Sequence, residues 1–264
     1  NSSYSDYFKI SLQNAAGTVL SSQDTGKDIT FDTGVTNAGD YYIVIEDSNF
    51  HTTDEYAVSV SVNASAQEGN TAETEGNDTF ATADTLVMGT AISGQISTKS
   101  DVDFYTFTTT QASTLRVVFD VPTSSSFSDY FIASVMDSTG TFLSSHQVGS
   151  DHTFSTALNS AGSYYIQIED SNFHNQEQYS LTGTLLDGTT GYETENNGSA
   201  ATADTLTSGG SANGQLWWKT DQDFYRVATD GASTISVTFD TPTNSSYNDY
   251  FKISLQNAAG TVLS

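Results

Sequence analysis

The stretch SYYIQIED, residues 163–170, sets Tyr164, Ile166 and Ile168 on one side of the chain and Ser163, Tyr165 and Gln167 on the other. A period of two is that of a half-buried β-strand, with the apolar set facing a core. Seven further runs between Thr90 and Leu186 are alternating or β-branched: TAISGQI, DFYTFTT, STLRVVFDV, DYFIASVM, TFLSSHQ, HTFSTAL and QYSLTGTLL. In DYFIASVM the same parity turns Phe131, Ala133 and Val135 inward. Eight short strands bounded by Gly, Asp, Asn and Ser predict an all-β fold of tandem antiparallel jelly-roll β-sandwich domains. The best helix candidates are the short ATADTL segments beginning at Ala81 and Ala201.

The run extends into a repeat. IEDSNFH at residues 45–51 returns at 168–174, an offset of 123, and DVDFY at 101–105 returns as DQDFY at 221–225, an offset of 120. NSSYSDYFKISLQNAAGTVL, residues 1–20, returns at 244–263 with Asn248 in place of Ser5. The two offsets together give that spacing, so the chain reads as a window on alternating A and B units. Residues 1–67 are then the C-terminal part of an A unit, 68–190 a complete B unit and 191–264 the N-terminal part of the next A unit. In the A copies Phe8, Ile10, Leu12, Tyr41, Ile43 and Ile45 are the inward set. Neither partial unit is expected to bury a full core alone. Two explanations stand side by side: a segment cut from a longer array, or split halves completed head to tail by other chains.

With 32 Asp and Glu against seven Lys and Arg, the chain carries a formal charge of −25. That argues against nucleic acid and against anionic membranes, both of which require basic side chains. No apolar run approaches the roughly 20 residues needed to cross a bilayer, so no membrane insertion is expected. Absence of Cys in an acidic, repeated β chain places it, on composition, at a bacterial cell surface or outside the cell.

The acidic residues gather at two points of the B unit. Glu73, Glu75, Asn77 and Asp78 stand ahead of the first strands, and Asp101 and Asp103 lead into the strand that carries Tyr105 and Phe107 inward. If the first segment is extended, Glu73, Glu75 and Asn77 share a side, as do Asp101 and Asp103. Carboxylates at the mouth of an apolar strand are costly unless neutralised. Ca²⁺, with its preference for six to eight oxygen ligands, is the expected cofactor, whereas Zn²⁺ would call for His or Cys. The pattern is not an EF-hand, since Thr106 and Ala112 stand where Gly and Glu are needed. A solvated acidic strand end is the simpler alternative.

The series ExExND, A-T-A-D-x-L, G-Q-I, D-x-D-x-Y-x-F, a strand ending in FD, and late G-x-Y-Y and Y-x-L strands resembles the bacterial pre-peptidase C-terminal domain family. It is similar to the collagen-binding domains of clostridial collagenases. The resemblance implies jelly-roll sandwiches of secreted or surface proteins, and calcium held by an N-terminal acidic segment. Carried over by position, it implies Glu73, Glu75, Asn77, Asp78, Asp101 and Asp103 as ligands, with Glu193, Glu195, Asn197, Asp221 and Asp223 in the next unit. Gly198 stands where Asp78 does, which implies a weaker second site.

Trp217 and Trp218 replace Ser97 and Thr98 just ahead of the DxD segment, and one of the pair is expected to face a neighbouring unit or a sugar. Outward Tyr7, Tyr42, Tyr130 and Tyr165 are candidates for the same role. The histidines lack a nucleophile motif or HExxH around them, and the Glu46-Asp47 and Glu169-Asp170 pairs recur at strand ends, so no enzymatic activity is expected. Two functions remain. One is a structural segment of a secreted or cell-surface array, a calcium-stiffened fibre or adhesin stalk whose partners are neighbouring repeats or chains. The other is a non-catalytic module that attaches a secreted hydrolase to extracellular matrix, collagen or polysaccharide.

Overall fold

The computed structural model describes residues 7–35, 37–49, 55–62, 71–122, 130–216, 219–241 and 251–263. In chain order the strands are β1 (Phe8–Asn14), β2 (Val19–Thr25), β3 (Tyr41–Asp47), β4 (Asp84–Thr85), β5 (Ile92–Gly94), β6 (Val102–Thr109) and β7 (Ser113–Asp120). They continue as β8 (Phe131–Asp137), β9 (Phe142–Val148), β10 (His152–Leu158), β11 (Gly162–Asp170), β12 (Tyr179–Asp187), β13 (Asp204–Thr205) and β14 (Tyr225–Arg226). No helix occurs among the described residues.

All eight runs read from the B-unit sequence contain strands, and with the short β4 they form two sheets ordered β10-β7-β12-β5 and β4-β6-β11-β8-β9. Between the sheets lies one apolar core, and the parity reading holds there. Phe131, Ala133, Val135, Ile166 and Ile168 are fully buried and Tyr164 nearly so, with Leu115, Val117, Phe119 and Leu181 opposite. Phe119 packs edge-on to Phe131 at 5.5 Å. ATADTL behaves differently from the helix candidate: residues 80–82 make a turn and Asp84–Thr85 pairs in parallel with Tyr105–Thr106. Asp84 explains the difference, because its carboxylate accepts from the Thr74 amide and hydroxyl at 2.6 and 2.5 Å and pins the segment in extended form.

The third sheet, β2-β1-β3, repeats β9-β8-β11 in order and register, down to an irregularity after Leu12 that matches the one after Val135. The hairpin turns repeat as well. Asn14 Oδ1 accepts from the Ala16 and Thr18 amides, Asp137 Oδ1 from those of Thr139 and Thr141, and Asn257 Oδ1 from those of Ala259 and Thr261. Each turn closes on a glycine of positive φ, Gly17, Gly140 or Gly260, where a side chain would be strained.

Among the described residues, the outer segments have no covering sheet. Val117 and Phe119 are fully buried, whereas their counterparts Val237 and Phe239 are 64% and 48% exposed. Tyr179 is 1% exposed and its counterpart Tyr56 is 58% exposed. Residues 55–62 and 233–240, the counterparts of β12 and β7, form no strand.

Candidate metal centre

Three local features bring the acidic residues together. Residues 71–74 lie along β5, with the Glu73 amide bonded to the Ser93 carbonyl and Ala72 bridged to Ser93. The Asn77 carbonyl then accepts from the Phe104 amide at 3.1 Å, which holds the ExExN segment against the start of β6. Strand alternation on β6 sends Asp103 inward beside Tyr105. The result is Glu75, Asp101 and Asp103 with one carboxylate oxygen each, all within 4.8 Å of one another.

Glu73 lies deeper. Its Oε1 accepts from the Gln95 amide, and its Oε2 from the Tyr105 hydroxyl at 2.7 Å. Tyr179 reaches in from β12 to donate to Asp103 Oδ2 at 2.5 Å, with its hydroxyl 2.7 Å from that of Tyr105. Gly94 lets the two tyrosines approach, since a Cβ there would collide with both hydroxyl ends. Glu75 Oε1, both side-chain polar atoms of Asn77 and Asp103 Oδ1 are buried without a hydrogen-bond partner. Buried polar atoms are nearly always paired, so orphans on these neighbouring residues require an explanation.

The next unit repeats the arrangement in part. Glu193, Glu195 and Asp223 gather there, so that Glu193, the counterpart of Glu73, joins the group and Asp221, the counterpart of Asp101, does not. The Gln215 amide donates to Glu193 Oε1, and the Tyr225 hydroxyl to Glu193 Oε2 at 3.0 Å. Asp204 accepts from Thr194 as Asp84 does from Thr74. Glu195 Oε1, Asn197 Oδ1 and Asp223 Oδ1 are again buried and unpartnered.

Crowding like charges in a dry place raises their proton affinity. Burial, followed by the charges of Asp101, Glu73 and Asp78, pushes Glu75 up to about 9. Burial lifts Glu73 to about 7 against the hydrogen bonds from Tyr105 and Gln95. Asp103 is raised well above the carboxylate range by burial and by Glu73 and Asp101. In the second cluster burial takes Glu195 to about 7 and, with the Glu193 charge, Asp223 to about 8. Without a cation the cluster therefore holds protons near neutrality.

Of the eleven acidic or amide candidates, the structure brings Glu75, Asp101 and Asp103 together with Asn77 and Glu73 beside them, and does the same for Glu193, Glu195, Asn197 and Asp223. Asp78 is exposed at the rim, acting on Glu75 and Asp101 through its charge. Asp221 is half-buried. Sequence reading missed Asp84 and Asp204, although both sit within the recurring ATAD motif. It also missed the hydroxyl of Tyr179, which is 76 residues from Asp103 and carries no local signal.

The aromatic candidates fare differently. Tyr130, expected on the outside, is buried at 8% exposure because the Phe131 and Phe173 rings pack against it. Tyr165 is half-buried, with Phe80 stacked on it at 4.1 Å. Tyr7 is half-buried and Tyr42 is 54% exposed. Trp217 and Trp218 lie outside the described residues.

Fold and site together define an all-β sandwich protein with a buried carboxylate cluster at the start of a unit. No family model and no curated protein sequence matches the chain. Among solved structures it is similar to the pre-peptidase C-terminal domain of a collagenase from Bacillus anthracis, with 15% identity over 39% of this chain and 94% of that one, at a TM-score of 0.33. It is also similar to PliG of Aeromonas hydrophila, a periplasmic inhibitor of g-type lysozyme, with 18% identity over 39% of this chain and 96% of that one, at a TM-score of 0.31.

Proposed function

We propose that the chain is a structural segment of an extracellular or cell-surface repeat protein whose unit boundaries are tied and stiffened by Ca²⁺. The observation that carries this reading is the set of matched orphan oxygens, Glu75 Oε1, Asn77 Oδ1 and Asp103 Oδ1 in one unit and Glu195 Oε1, Asn197 Oδ1 and Asp223 Oδ1 in the next. Carboxylate and amide oxygens in a loose, all-oxygen set suit a hard cation of calcium's size. Glu75, Asn77, Asp101 and Asp103 would hold the ion in one unit, and Glu193, Glu195, Asn197 and Asp223 in the other. Its chemistry there is charge neutralisation, which relieves the repulsion that otherwise raises Glu75 and Asp223.

The segments ahead of each sandwich supply half of each site, so occupancy ties the connection to the β6-type strand. Binding to the folded state alone adds about 2.7 kcal/mol at a hundredfold excess over Kd. Thermal melts in millimolar calcium and in chelator test the reading: a higher midpoint with calcium supports it, and coincident melts refute it.

We further propose that the exposed faces of residues 7–62 and 225–263 complete one another between copies, head to tail. Their apolar positions are those that cover each other in the B unit: Tyr56 and Val58 match Tyr179 and Leu181, and Val237 and Phe239 match Val117 and Phe119. Sedimentation across a concentration series should show open-ended association, and a monomer at every concentration would rule the completion out.

A further inference from the structure

We propose that the glutamine of the recurring Gly-Gln pair, Gln95 and Gln215, is a clamp that docks each unit onto the open edge strand of the unit before it and fixes their register. β9 is the outermost strand of its sheet, and Ser145 lies on its free side. There the Gln215 side chain makes two hydrogen bonds to one residue's backbone: Nε2 donates to the Ser145 carbonyl at 2.6 Å, and Oε1 accepts from the Ser145 amide at 3.0 Å. A carboxamide presents a donor and an acceptor much as a peptide group does. It therefore pairs with the edge as a further strand would and covers backbone groups that invite unwanted pairing.

The donor half of the contact recurs at Gln95, whose Nε2 also donates to the Gln176 carbonyl and whose Oε1 has no partner. Gln95, 1% exposed, donates through Nε2 to the Ser22 carbonyl at 2.6 Å. Ser22 lies on β2, itself an edge strand, and the two serines stand 123 residues apart as the two glutamines stand 120 apart. The same side chain thus meets the same strand position at both junctions. Around it the junctions add further bonds. Gly34 donates its amide to the Glu73 carbonyl at 2.8 Å, and Asn159 Nδ2 donates to the Glu195 carbonyl at 2.5 Å.

The clamp is also aimed from behind. Glu73 and Glu193 accept the backbone amides of Gln95 and Gln215, so the group that lines the carboxylate cluster positions the docking side chain. Only this positioning link touches the calcium reading, and the docking contact stands without an ion. The partner that fits is the β9-type edge strand of the preceding unit.

The test uses the full chain and Gln215→Met, which keeps the length of the side chain and removes both polar groups. Amide hydrogen exchange at Ser145 should accelerate roughly tenfold, the equivalent of one lost hydrogen bond, while the amides shared by β8 and β11 keep their rates. The chain has no cysteine, so spin labels at Ser138→Cys and Ala200→Cys report the junction directly. Their distance distribution should broaden in Gln215→Met. Unchanged Ser145 exchange with an unchanged distribution overturns the clamp. Calcium binding measured on the same samples separates the two readings: a parent that binds no calcium yet shows both Gln215→Met effects retains the clamp and loses the ion.

Discussion

Replacing Glu75 with Gln separates the effect of the cluster's charge from that of its shape. Glu75 holds its proton up to about pH 9 in the fold, because of burial and the nearby acids, against an ordinary value of 4.5. At pH 7 the unfolded chain has released that proton and the ion-free fold has not, so the raised value counts against the fold. Stability from this group is complete below 4.5, falls as pH rises, and levels off above about 9. At pH 7 the deficit spans about 2.5 pH units, or about 3 kcal/mol at about 1.4 kcal/mol per unit. Gln carries no proton to release. In chelator, Glu75→Gln should therefore melt higher than the parent, by an amount on the order of 10 °C for a small domain. In calcium the order should reverse or close, because the variant has lost an anionic oxygen from the ligand set and only the Glu195 site still responds. Calorimetric melts of both proteins, with and without calcium, provide the comparison. A Glu75→Gln variant that is destabilised equally in both conditions would refute the reasoning.

Ion-free protein should lose stability steadily from pH 5 to 9, since Glu73, Glu75, Glu195 and Asp223 all have raised values in the fold; calcium affinity should climb over the same range as protons leave, and pH-independent urea midpoints in chelator would contradict this. Tyr179→Phe removes the donor to Asp103 Oδ2 and the partner of the Tyr105 hydroxyl, and should cost about 1–3 kcal/mol in urea unfolding. An unchanged midpoint would mean that the tyrosine pair is not a support of the cluster.

Sequence alone made the sandwich legible because the strand period is local: Tyr164, Ile166 and Ile168 declare their side within one strand. It made the carboxylates legible as a set because ExExN and DxD recur at a fixed offset in both units. The pairing of the two segments was not local. It depends on residues 71–74 lying along β5 and on Asn77 meeting Phe104, contacts no spacing announces. ATADTL misled because Asp84 bonds back to Thr74 across ten residues and holds the segment extended, overriding the helix preference of its alanines. Tyr130 misled because parity was extended to the residue before β8, where Phe173 packs over it. Gln95 and Gln215 were visible as a recurring Gly-Gln pair, but their role lies in the unit before them, and only the folded junction places Ser22 and Ser145 in reach.

Calcium binding itself can be counted. Equilibrium dialysis of the ion-free chain against calcium should give two sites per chain. The stronger is the cluster of Glu75, Asp101 and Asp103, and the weaker that of Glu193, Glu195 and Asp223, where Gly198 replaces the rim carboxylate of Asp78. Glu75→Gln should remove the stronger site and Glu195→Gln the weaker. A chain that takes up no calcium at millimolar concentration, or that binds it equally well with both substitutions in place, would contradict the account.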